Sequence, residues 1–224
     1  MWLMTRRPRM EIEEFCRTYY DSVVIEGANQ SLRYWEHKVF VHDAPRRSFR
    51  DLLLGEIDPT IFAREMTAIH FEVIGLAWLH TLKRDNFALR QAVFTKRYLE
   101  DKGQAAIWEA MSDYNQAIAR SSIEIAAGRR SRRAWITFAN EFRGRLCQKW
   151  SAAGVDPDCA ARVANRELTE ISWRKGITPW TLHSTLMSRL GHDLQGEGSA
   201  VLASAVQRFY NAAAKTIKSF RIQP

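Results

Sequence analysis

At 224 residues, with 46% hydrophobic side chains and 8 Trp, the chain has ample material for a core, which excludes a disordered protein and one that needs covalent staples. Its three cysteines, Cys16, Cys147 and Cys159, lie far apart with no C-x-x-C pair, which argues against a disulfide scaffold or zinc knuckle and for a reducing, cytoplasmic compartment. The formal charge of +8, from 33 Lys and Arg against 25 Asp and Glu, favours an acidic partner: nucleic acid, anionic lipid or an acidic protein.

In chain order, the opening MWLMTRRPRM has no apolar stretch long enough for a secretion signal. A first helix is expected over about 10–25, with Ile12, Phe15, Tyr19 and Val23 on one side and Glu26-Gly27 ending it. A second, about 29–41, carries Leu32, Trp35, Val39 and Phe40, and Pro45 closes that segment. Asp58-Pro59 then marks a helix start twice, by side-chain capping and by a preset φ. The helix over 58–84 has no Lys or Arg from Met66 to Leu82, and apolar residues fall all round its wheel. Such a helix is surrounded by others. It is too short and polar to span a bilayer, and no other segment spans one.

A fourth helix starts at Asp85 or Asn86 and ends at Gly103, with Leu89, Val93 and Tyr98 facing inward. A fifth, over about 104–127, aligns Ile107, Met111, Tyr114, Ile118 and Ile125. The sixth opens on an arginine cluster and carries Trp135, Phe138, Phe142, Leu146 and Trp150 as a core-facing stripe, ending at Gly154. Asp156-Pro157 and Thr178-Pro179 start a seventh and an eighth, and Ser199 caps a last helix to about 220. The expected fold is therefore all-α, a compact single-domain bundle of about eight helices over 1–224 around a buried central helix at 58–84. A minor subdomain seam would fall at 128–133.

Glu65, Glu72 and His80 fall within about 80° of one another on the central helix, and His70 lies on its other side. These four are the ligand-pocket candidates, with Glu72 either desolvated for acid–base work or paired with an arginine across the bundle. The ion pair is the favoured reading, and His70 is read as a core histidine bonded to a hydroxyl or carbonyl. Glu65 and Glu72 stand about 10 Å apart along the axis, too far to share one metal ion. No Glu has a His three positions later, so a dinuclear carboxylate site is not expected. Glu36, His37, His42 and Asp43 make a local cluster whose imidazoles point about 140° apart, and His192-Asp193 reads as a terminal polar pair. No metal site, catalytic set or phosphate loop follows from these patterns, and no cofactor is assigned.

Seven basic residues lie between Arg129 and Lys149 with Glu141 the one acid. Arg132 and Arg143 flank the apolar face on one side, Arg145 and Lys149 on the other. Arg129, Arg130, Arg132 and Arg133 crowd a helix start whose dipole disfavours them, which makes them the candidate contact for an anionic partner. The last helix spaces Leu202, Val206, Phe209, Ala213, Ile217 and Phe220 as a seam over 199–220 that either caps its own core or pairs with a second copy as a homodimer. The leading reading is a non-catalytic binding or regulatory protein whose basic surface meets an acidic protein or nucleic acid. The second is a small-molecule or metal-binding bundle, or an enzyme, with a pocket beside Glu72 and His80. In size and helicity the chain also resembles one-component helical repressors, so the third is a helical DNA-binding regulator; its helix-turn-helix would turn at Glu26-Gly27-Ala28, between helices unlike a recognition pair.

Overall fold

Pro59 opens a helix in which every residue from Glu65 to Leu79 is buried. It belongs to a computed structural model that describes residues 7–29, 59–82, 85–128, 132–173, 180–189 and 197–223. The expected second helix, the cluster at Glu36, His37, His42 and Asp43, the cap Asp58, Arg129, Arg130 and His192-Asp193 lie outside the described residues. Those residues form an all-α architecture of eight helices: α1 (Ile12–Asn29), α2 (Pro59–Leu82), α3 (Asp85–Asp101), α4 (Ala105–Ala126), α5 (Arg132–Ala152), α6 (Pro157–Trp173), α7 (Trp180–Arg189) and α8 (Glu197–Ser219). Two short strands, β1 (Arg9–Glu11) and β2 (Arg221–Gln223), pair in parallel with Met10 opposite Ile222. Period-2 patterning cannot reveal strands of three residues.

Helix α2 is flanked by α1, α3, α4, α6, α7 and α8. Its Trp78 meets Phe15 of α1 at a ring separation of 5.3 Å, and Phe15 also meets Phe220 at 5.4 Å. The boundaries follow from local chemistry. Asp156 Oδ1 accepts from the backbone N–H groups of Asp158 and Cys159 at 3.0 and 3.2 Å, with Pro157 at the first helical position of α6. Gly103 and Gly154, at φ of 66° and 77°, close α3 and α5 with paired backbone bonds, Gln104 to Leu99 with Gly103 to Glu100, and Val155 to Trp150 with Gly154 to Ser151. Only glycine takes that conformation at no steric cost.

Three expectations fail, each for a physical reason. Helix α1 does not stop at Glu26-Gly27 but runs on to Asn29, because an internal glycine costs about 1 kcal/mol and does not forbid a helix. The tight turn a helix-turn-helix would need is absent there. Helix α3 exposes Val93 and turns inward the face with Ala88, Ala92 and Leu99 together with Gln91 and Thr95, whose polar groups find buried partners. Helix α5 buries only Ala139 and Trp150, so its aromatic stripe is not a core face. It packs mainly on α6 and α4, leaving its outer side in solvent. The α8 seam packs on α2 within the chain, burying Val206, Ala213 and Ile217.

Candidate functional site

Glu72 is 0% exposed and faces two arginines that are nearly as buried, Arg162 and Arg166 of α6. Arg162 donates from Nη1 to Glu72 Oε1, and from Nη2 to Ser112 Oγ at 2.7 Å and the Trp108 carbonyl at 3.3 Å. Its guanidinium also lies 3.9 Å from the centroid of the Trp108 ring. Burial pulls Arg162 down to about 10 against the pull of Glu72, so it remains cationic at neutral pH. Arg166 Nη2 stands 3.5 Å from the same Glu72 oxygen, while Nη1 donates to Gln91 Oε1 at 2.7 Å.

From Gln91 the chain of bonds continues to Thr95 at 3.0 Å and to the hydroxyl of Tyr20, which itself lies 3.0 Å from Thr95 Oγ1. Five helices, α1, α2, α3, α4 and α6, are thus joined through buried polar atoms. Room for it comes from Gly75: a Cβ there would overlap the Arg166 guanidinium. The arrangement neutralises a carboxylate that could not otherwise be sealed from water. Sequence reading missed both arginines, because Asp158 and Glu170 stand four residues from them on α6 and offer an ordinary surface pairing.

Glu65 is separately held. It accepts from Arg189 Nε at 2.6 Å and Nη2 at 3.1 Å, from Tyr114 at 2.8 Å, and from Arg64. Burial alone would raise its pKa, but the bonds from Arg189, Tyr114 and Arg64 outweigh it and hold the carboxyl below its ordinary range. His80 Nδ1 lies 2.8 Å from the Tyr210 hydroxyl, and His70 packs on the Phe209 ring at 4.3 Å, both on α8. Burial pushes His70 down to about 3, so it is neutral. The four pocket candidates on α2 are therefore not gathered into one cavity. Glu72 turns to α6, Glu65 to α4 and α7, and the histidines to α8. Among the described residues no three His, Cys, Asp or Glu side chains assemble a metal-binding set.

Two features face solvent instead. A groove of about 460 Å³ opens between α4 and α7, lined by Asp113, Arg120, Ser121, Ser184, Thr185 and Arg189 among others. The larger is α5. Arg132, Arg133, Arg143, Arg145 and Lys149 are all exposed on it, against the single acid Glu141. Arg132 lies 3.9 Å from Glu124, while Arg133, Arg143 and Arg145 have no ion-pair partner among the described residues. Of the cluster 129–133, Arg132 and Arg133 stand exposed in the first turn of α5, and the two neighbours before them are outside the described residues.

Comparison with known proteins finds no matching family model, no similar curated sequence and no similar solved structure. No helix among the described residues is long and apolar enough to cross a membrane.

Proposed function

We propose that this chain is a non-catalytic helical binding protein, at work in the cytoplasm, whose basic surface on α5 engages an anionic partner. The observation that carries the reading is the exposure of five cations against one acid along a helix that buries only two residues. A helix with so little invested in the core is free to be shaped by what it meets, and unpaired arginines attract phosphates or carboxylates by charge and bidentate geometry. The pairing of Glu72 with two arginines favours a structural role for it over an acid–base role, and the free thiols Cys16, Cys147 and Cys159 fit a reducing compartment. A second reading, a small-molecule site, draws support from the hydroxyl-lined groove between α4 and α7, whose volume lies in the range of ligand pockets.

Heparin chromatography tests the first reading. Arg143, Arg145 and Lys149 changed together to Ser should elute at lower salt than wild type, with an unchanged melting temperature. Equal elution would remove α5 as the anionic-partner surface.

A further inference from the structure

We infer that α5 is a stacking platform for single-stranded nucleic acid, an inference that rests on the anionic-partner reading above and names the partner. Phe138, Phe142, Arg145 and Lys149 recur at intervals of four, three and four, so they fall in one stripe about 60° wide along the helix. Trp135 extends the stripe by a further three residues toward the helix start. The rings run as a ladder: Trp135 to Phe138 at 5.1 Å and 30°, Phe138 to Phe142 at 5.9 Å and 27°. Phe138 is 37% exposed, and of the large apolar side chains exposed among the described residues, Ile61, Val93 and Phe138, it is the aromatic one. The next turns replace rings by cations, both exposed, and Lys149 lies 4.5 Å over the ring of Trp150. From residue 135 to 149 the stripe is about 21 Å long at 1.5 Å per residue.

An exposed ring, Phe138, flanked by the half-buried rings of Trp135 and Phe142 and followed by exposed cations matches a strand whose bases stack and whose phosphates need neutralising. Other occupants fit less well. A duplex groove takes a helix with slender polar side chains at its leading face, and paired bases offer no faces to these rings. A membrane-lying helix carries apolar residues along its whole length with cations flanking them, whereas here the rings cover only about two turns and Phe138 alone of them is exposed. A second copy paired in parallel would bring Arg145 and Lys149 against like charges. A stripe of this length suits about four nucleotides, the lower end of the site sizes single-strand binders show.

Fluorescence anisotropy with a short labelled oligothymidine, a duplex of equal length and vesicles containing phosphatidylserine tests the assignment. Wild type should bind the single strand at least tenfold more tightly than the duplex. Phe138→Ala with Phe142→Ala should lower single-strand affinity about tenfold or more while leaving heparin elution unchanged, and Phe138→Tyr should keep it. Circular dichroism of the alanine pair checks that α5 is still folded, and Phe138→Tyr carries the test should it not be. Equal binding of duplex and single strand, no loss in the alanine pair, or binding to vesicles alone would each overturn the platform while the anionic-partner reading stands. No retention on heparin together with no oligonucleotide binding would remove both.

Discussion

Helices α5 and α6 pack side by side and both carry arginines among apolar residues, yet they treat them oppositely. Helix α6 seals Arg162 and Arg166 at 2% and 1% exposure, while α5 leaves every one of its cations in solvent. The difference does not lie in either helix. It lies in what faces it: α2 presents Glu72 and, one turn on, the bare backbone of Gly75, and no acid among the described residues faces Arg143 or Arg145. An arginine is buried when another element supplies both a carboxylate and the room for a planar guanidinium. Its own helix's pattern does not decide the matter.

The contrast can be broken most severely at Glu72. Glu72→Gln keeps the shape and leaves two buried guanidiniums without an anion, so it should cost about 3–5 kcal/mol in a urea melt at neutral pH. Stability at or above wild type would mean that the carboxylate is strained in the fold, and would move the pocket reading beside Glu72 ahead of the binding one. Gly75→Ala comes next. The added methyl forces Arg166 aside, and the expected loss is about 1–3 kcal/mol even though alanine favours helix by about 1 kcal/mol. In an Arg166→Ala background the same change should stabilise, and a double-mutant cycle that showed simple additivity would contradict the overlap.

His70 gives a smaller, graded effect. Its folded pKa is depressed from 6.5 to about 3, so above pH 6.5 both states hold it neutral and it adds no pH dependence. Below that the unfolded chain takes up a proton the folded chain refuses, and stability falls by up to about 1.4 kcal/mol per pH unit until about pH 3. His70→Leu should flatten that slope in melts between pH 6.5 and 4; an unchanged slope would assign it to other groups. The smallest effect belongs to α5, where Arg145→Ser with Lys149→Ser should move stability by less than about 0.5 kcal/mol. A larger loss would show the cations to be structural after all.

Much of the fold was legible because it rests on local signals. Asp156-Pro157, Gly103 and Gly154 each fix a boundary through their own backbone chemistry, and the unbroken apolar run in α2 announces a helix with neighbours on all sides. What failed depends on pairs distant in sequence. Val93 looks like a core residue until Gln91 and Thr95 find Tyr20 and Arg166, between 71 and 75 positions away. The stripe Trp135, Phe138, Phe142 has the periodicity of a core face, and periodicity records which residues lie together, not whether anything covers them. Of the site, the pairing of Glu72 with a cation across the bundle could be anticipated from the cost of an isolated buried charge. Which cation could not, since local acids masked both arginines.

Gly75 contributes no side-chain atom, and that is its effect on the history of this sequence. With Arg166 in place, a Cβ at position 75 would overlap the guanidinium, so a change at 75 costs least once 166 has been shortened. A distant relative that has lost all visible likeness should still show the pair in step: glycine one turn after a glutamate on one helix, arginine on another. That coupling is a signature to search by, and it needs neither overall identity nor a preserved surface.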